Sequence, residues 1–118
     1  MREKLNLLLE KHCVSIKGTV ELLGEHLKRA RDDEAERRQA IEDATALAHQ
    51  LKGGSGTAGF HDICVATTAL YAQLTELSAR GDAALGPGVD QAMELYERLS
   101  GAARAARPQA STLYLVMS

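Results

Sequence analysis

The chain has no tryptophan, one phenylalanine, three tyrosines and two prolines among its 118 residues. Any core must therefore be built from Ala, Leu, Val and Ile. That diet suits close-packed helices and suits an all-β protein poorly. No stretch reaches the roughly 20 consecutive apolar residues of a membrane span. The start, Met1 to Asn6, leads into Glu, Lys and His and not into the apolar run of a signal peptide. A basic tract is also missing, and the formal net charge is −2, so no nucleic-acid footprint is visible. The two cysteines, Cys13 and Cys64, fall inside helical patterns without a disulfide framework. Two half-buried thiols in a reducing cytoplasm are the expectation.

What is present is an apolar fraction of 45% in a chain of single-domain length. Leu5, Leu9, Ile16, Val20, Leu23 and Leu27 recur at helical spacing and mark a first helix, over about residues 3 to 30. Gly18 and Gly24 weaken it enough to suggest a break. Leu7, Leu8 and Leu22 fall off the main stripe, and a second packing face is one explanation. Asp32 and Asp33 are N-cap candidates for a second helix, with Glu34 and Glu36 suiting its positive end. Ala40 or Ile41, Ala44, Leu47 or Ala48, and Leu51 form its apolar face. A third helix should start after Gly59, carry Ile63, Ala66, Leu70, Leu74 and Leu77, and end at Arg80-Gly81-Asp82. A fourth begins near Pro87, buries Val89, Met93, Tyr96, Leu99 and Ala103, and is closed by Pro108. Short connections force antiparallel neighbours. The expected fold is all-α, an antiparallel up-and-down four-helix bundle over residues 1–107. Residues 108–118 form a short tail whose run Leu113 to Met117 is apolar and β-prone. Packing on the bundle, pairing with another molecule and disorder are all open to it.

Within the second helix, taking Ala44 as the centre of the buried face, Leu51 lies about 20° away, Ala48 about 40° and His49 about 140°. His49 therefore points to solvent. Arg38, Glu42, Thr45, Lys52, Gly53 and Gly56 share its stripe. Gly53, Gly54 and Gly56 each cost roughly 0.5–1 kcal/mol relative to Ala in a helix. Their use is clearance, since a side chain at Gly53 would crowd the imidazole one turn earlier. Lys52 can offset charge on a phosphoryl group at the ring. Phosphoryl transfer needs mostly positioning and charge stabilisation. Histidine suits a carrier role because near pH 7 a large fraction of the side chain is neutral, leaving one nucleophilic nitrogen.

The run His49-Gln50-Leu51-Lys52-Gly53-Gly54-Ser55, with Gly59 and Phe60 one turn later, resembles the signature of histidine-containing phosphotransfer (HPt) domains of bacterial phosphorelays. Ala48 and Gly56-Thr57-Ala58 fit the same pattern, and helix lengths extend the likeness over roughly residues 3 to 106. One departure is visible. After the leucine matching Leu70 the family often has an acidic residue, and here it is Tyr71. The resemblance implies that His49 accepts a phosphoryl group from a phospho-aspartate of one receiver domain, that of a hybrid histidine kinase. It implies onward transfer to an aspartate of a response regulator, without a cofactor of the carrier's own, magnesium belonging to the receivers. Arg38, Glu42, Thr45, Gln50 and Gly56 are the expected partner-binding residues, and a cytoplasmic monomer without autonomous kinase activity is the expected form.

Other readings compete. A chemotaxis-kinase-type phosphoacceptor domain, phosphorylated directly by a kinase, would look similar, though no kinase domain is attached. A sensor-kinase phosphoacceptor helix usually has an acidic residue after its His and Asn or Thr four positions on; Gln50 and Gly53 stand there. His61 and Cys64, or His12 and Cys13, supply only pairs of zinc ligands where four must converge. A non-catalytic interaction bundle would leave the glycines beside His49 unexplained. A hydrolase would need a serine elbow or paired carboxylates at His49, and neither is present.

Overall fold

A computed structural model describes residues 2–117. Its long helices are α1 (Arg2–Asp32), α2 (Arg37–Thr57), α3 (His61–Ser78) and α4 (Leu85–Arg104), followed by a short α5 (Thr112–Met117). Single 3₁₀ turns, Asp82–Ala84 and Pro108–Ala110, precede α4 and α5. Each long helix packs on its neighbour in sequence, α4 returns to α1, and the α2–α4 diagonal is sparse. The fold is an all-α four-helix bundle, and no strand occurs among the described residues. No helix among them is long and apolar enough to cross a membrane.

The core is aliphatic. Leu9, Leu23, Leu27, Ile41, Leu70, Leu74, Leu77 and Leu99 are fully buried, each such burial being worth about 1.5–3 kcal/mol. The apolar stripes supply these contacts on all four helices. Thr67 joins them, its hydroxyl satisfied by donating to the Ile63 carbonyl at 2.6 Å. Leu7, Leu8 and Leu22 do not form a second packing face: they stay exposed.

Three local expectations need correction. The first helix does not break, and α1 runs through both glycines. Gly24 is buried there for a reason. The Tyr96 hydroxyl donates to the Val20 carbonyl at 3.0 Å, and its ring occupies the space that a Cβ on residue 24 would need. The second helix starts later than its acidic residues suggest. Asp32 ends α1, and the Asp33 carboxylate accepts from the amides of Ala35 and Glu36, so it caps the intervening turn. Arg37 then donates to the Ala30 and Arg31 carbonyls, satisfying the end of α1. α4 begins at Leu85 with Pro87 in its first turn, as expected, but it stops at Arg104. Pro108 is buried and opens the following 3₁₀ turn instead of closing α4.

The tail is helical where composition suggested strand, and it packs on the bundle. The Ser111 hydroxyl donates to the Ala58 carbonyl at 2.6 Å, and the Thr112 amide donates to the Gly59 carbonyl at 2.9 Å. These bonds fasten the tail to the α2–α3 turn. α1, about 46 Å long at 1.5 Å per residue, outruns α2, and the 3₁₀ turn and α5 pack beside it. Ser118 and Met1 lie outside the described residues.

Candidate functional site

The α2–α3 hairpin positions the site. α2 ends in a Schellman motif: the Phe60 amide donates to the Ser55 carbonyl at 2.9 Å and the Gly59 amide to the Gly56 carbonyl at 3.1 Å. Gly59 takes φ of +80°, the left-handed conformation that the motif requires. Phe60, 2% exposed, plugs the end of the core as α3 departs. This turn sets the register of the two helices. Arg38 meets Asp82, His49 meets Tyr71, and Gly56 faces Cys64. The members of each pair are equidistant in sequence from Phe60.

His49 is exposed on α2, opposite the buried Ala40, Ala44, Ala48 and Leu51. Its ring lies against that of half-buried Tyr71 on α3, with centroids 5.4 Å apart and planes tilted by 43°. The Lys52 ammonium sits over the same tyrosine, 5.6 Å from the ring centroid. Imidazole, phenol ring and ammonium thus form one cluster across the α2–α3 seam. A Cβ placed on Gly53 or Gly54 would meet nothing within 4 Å. At about 100° per residue, Glu42, Gly53 and Ala46 follow His49 around α2 on the side away from Tyr71. The imidazole is therefore walled on one side and open on the other.

The remaining stripe residues divide. Glu42 and Gln50 are exposed beside His49 and suit a contact surface. The Thr45 hydroxyl donates to the Ile41 carbonyl at 2.7 Å. Gly56 is exposed, and a Cβ there would stand 3.4 Å from the Cys64 sulfur, in contact with α3. Arg38 is committed elsewhere. Its guanidinium donates to Asp82 at 2.7 Å and to the carbonyls of Ser78 and Arg80, at 3.3 and 2.9 Å, where α3 ends. It caps α3 from α2, about 16 Å along the helix from His49. The structure does not bring it to the imidazole.

Tyr71, in sequence only a departure from the HPt pattern, is the third member of the cluster. The signal was present in the hairpin register. With the turn centred on Phe60, the residue facing His49 is Tyr71. On α3 it shares a stripe with Cys64 and Thr68, whose hydroxyl donates to the Cys64 carbonyl at 2.7 Å.

Charges near the α1–α2 seam are paired. Arg29 donates to Asp43 at 2.7 Å, and this bond, with a second from Gln39, holds the Asp43 carboxyl below the usual carboxylate range. Burial pushes the Cys13 thiol up from its ordinary value. Among the described residues no three His, Cys, Asp or Glu side chains converge as a metal site. His61 is exposed at the start of α3, while His12 and His26 are half-buried on α1. Comparison with protein-family models, with curated proteins and with solved structures finds no match to this chain.

Proposed function

We propose that the protein is a histidine phosphotransfer intermediate that carries a phosphoryl group on His49 between receiver domains. The observation that carries this reading is the open approach to an exposed imidazole, with Gly53 empty on one side and Lys52 held nearby. The resemblance of residues 49–60 to HPt domains points the same way.

In the proposed step the lone-pair nitrogen of neutral His49 attacks phosphorus of a receiver phospho-aspartate. A P–N bond forms, the P–O bond breaks, and the aspartate carboxylate leaves with the electron pair. The other ring nitrogen keeps its proton. Lys52 offsets the charge on the phosphoryl oxygens. Reversal onto a second aspartate completes the relay. Magnesium, in this reading, is supplied by the receivers, and the protein adds no cofactor. Glu42, Gln50 and the Gly53 clearing form the approach for the receiver, whereas Arg38 is assigned to the fold. Direct phosphorylation by a chemotaxis-type kinase uses the same imidazole and differs only in the donor.

The test is incubation with phosphorylated receiver domains, then acid and base treatment of the labelled protein. The proposal requires an acid-labile, base-stable label that is lost in His49→Gln. Label surviving in His49→Gln, mapped to His12, His26 or His61, removes His49 from the role.

A further inference from the structure

We propose that Tyr71 is a positioning residue for the His49 site, fixing the imidazole by ring contact and keeping the Lys52 ammonium beside it until a phosphoryl group draws it away. This rests on the carrier reading of His49. Both distances are within contact range: 5.4 Å between the ring centroids, and 5.6 Å from the ammonium to the tyrosine centroid. Tyr71 belongs to α3 and packs against the core, so it is a fixed platform, whereas His49 and Lys52 project from α2.

Each partner gains something different. An exposed imidazole samples several rotamers, and a reacting nitrogen must be aimed for in-line attack. A tilted aromatic contact restricts that sampling from the α3 side and leaves the Gly53 side free. A lysine ammonium on a four-carbon stem is mobile in water. Resting over an aromatic face holds it within reach of the imidazole at small energetic cost. A cation–π contact at an exposed site is weaker than a charge-assisted bond to phosphoryl oxygen. The ammonium therefore exchanges the ring for the phosphoryl group when one arrives. Nothing in this requires the tyrosine hydroxyl, so the ring should suffice.

A donor that needs no protein partner isolates this role. Phosphoramidate delivers its phosphoryl group to imidazole: its P–N bond breaks, a P–N bond to His49 forms, and the donor nitrogen leaves as ammonia with the electron pair. The initial rate of phospho-His49 formation is measured by intact mass for wild type, Tyr71→Phe, Tyr71→Leu, Lys52→Met and the double variant Tyr71→Leu/Lys52→Met. Helicity and thermal midpoint are recorded for each. The His49 ring-proton NMR shifts report the contact independently, because Tyr71 imposes a ring-current displacement.

The expected result is a rate for Tyr71→Phe within about twofold of wild type and a loss of about three- to tenfold in Tyr71→Leu. The His49 ring protons move toward ordinary exposed values in Tyr71→Leu and in the double variant, and stay displaced in Tyr71→Phe and in Lys52→Met. Once Lys52 is Met, the further effect of Tyr71→Leu shrinks, because the shared ammonium is gone. A wild-type rate in folded Tyr71→Leu overturns the proposal while leaving the carrier reading standing. So does Tyr71→Phe as slow as Tyr71→Leu, which would transfer the role from the ring to the hydroxyl. An unlabelled wild-type protein defeats the carrier reading, and the Tyr71 role with it, even where the NMR displacement is present.

Discussion

Two sets of glycines in this bundle look alike in sequence and differ in space. Gly24 and Gly88 lie between helices: a Cβ on Gly24 would overlap the Tyr96 ring, and one on Gly88 would overlap Leu77. Gly53 and Gly54 face open space, where nothing stands within 4 Å of an added Cβ. The first pair is explained by packing. The second is not explained by the fold, and glycine in a helix costs roughly 0.5–1 kcal/mol relative to alanine. Gly18 and Gly101 are equally open, so emptiness alone marks no site. What separates Gly53 is that it stands one helical turn from His49, on the side away from Tyr71.

The comparison is sharpened by substituting across it. Gly88→Ala and Gly24→Ala should have the largest effect on stability, about 1–3 kcal/mol each from overpacking. Urea denaturation reads the loss, and an unchanged midpoint would mean that the helices separate freely there. Gly59→Ala should follow. The left-handed conformation costs a non-glycine residue about 1–2 kcal/mol, and an added Cβ would come within 2.6 Å of the Thr112 hydroxyl. Hydrogen exchange at the Thr112 amide should accelerate as the tail detaches, and a protected amide would refute the coupling.

Gly53 should behave in the opposite sense. Gly53→Ala is expected to hold or raise stability, by up to about 1 kcal/mol. Gly53→Gln should slow transfer from a phosphorylated receiver by more than about tenfold, or 1.4 kcal/mol in the barrier. Labelling by phosphoramidate, which is small, should largely persist. Normal receiver transfer in folded Gly53→Gln would mean that no partner approaches this face closely. Lys52→Ala, by loss of one charge, should slow transfer by roughly one order of magnitude without abolishing it. A rate equal to wild type at low and high salt would leave Lys52 as a solvated surface residue.

The smallest effect concerns Asp43. Its folded-state carboxyl lies below the ordinary range because Arg29 and Gln39 donate to it. A depressed carboxyl contributes stability above its unfolded value, and that contribution is lost as pH falls through the folded value. Asp43→Asn should therefore make the thermal midpoint less sensitive to acid below the ordinary carboxylate range. An unaltered acid limb would show the pair to be energetically silent.

The bundle was legible because periodic apolar positions on four segments coincide with its buried residues, from Leu9 and Leu27 on α1 to Leu99 on α4. His49 was legible as solvent-facing by the same geometry. Partner choice across helices was harder to read. Helical periodicity says which face of α1 is apolar, not that Tyr96 settles against Gly24, so the two glycines suggest a break where none exists. The acidic run before α2 holds several capping candidates, and only the Asp33 carboxylate reaches amides, in the turn. The tail run Leu113 to Met117 favours strand by composition, but hydrogen bonds from Ser111 and Thr112 to the α2–α3 turn override it. Arg38 shares a helical stripe with His49 and still points to the end of α3, because a long side chain reaches the carbonyls there. Tyr71 could be found only by fixing the hairpin register about Phe60.

The central claim, that His49 is the phosphoryl carrier, is tested most directly by residue-level mapping of the phosphoryl group. The protein is treated with phosphoramidate, digested under alkaline conditions and sequenced by mass spectrometry, beside His49→Gln. The account predicts one dominant acid-labile phosphoryl group on His49 and almost none in the variant. A phosphoryl group spread over His12, His26 and His61, or retained in His49→Gln, would contradict it.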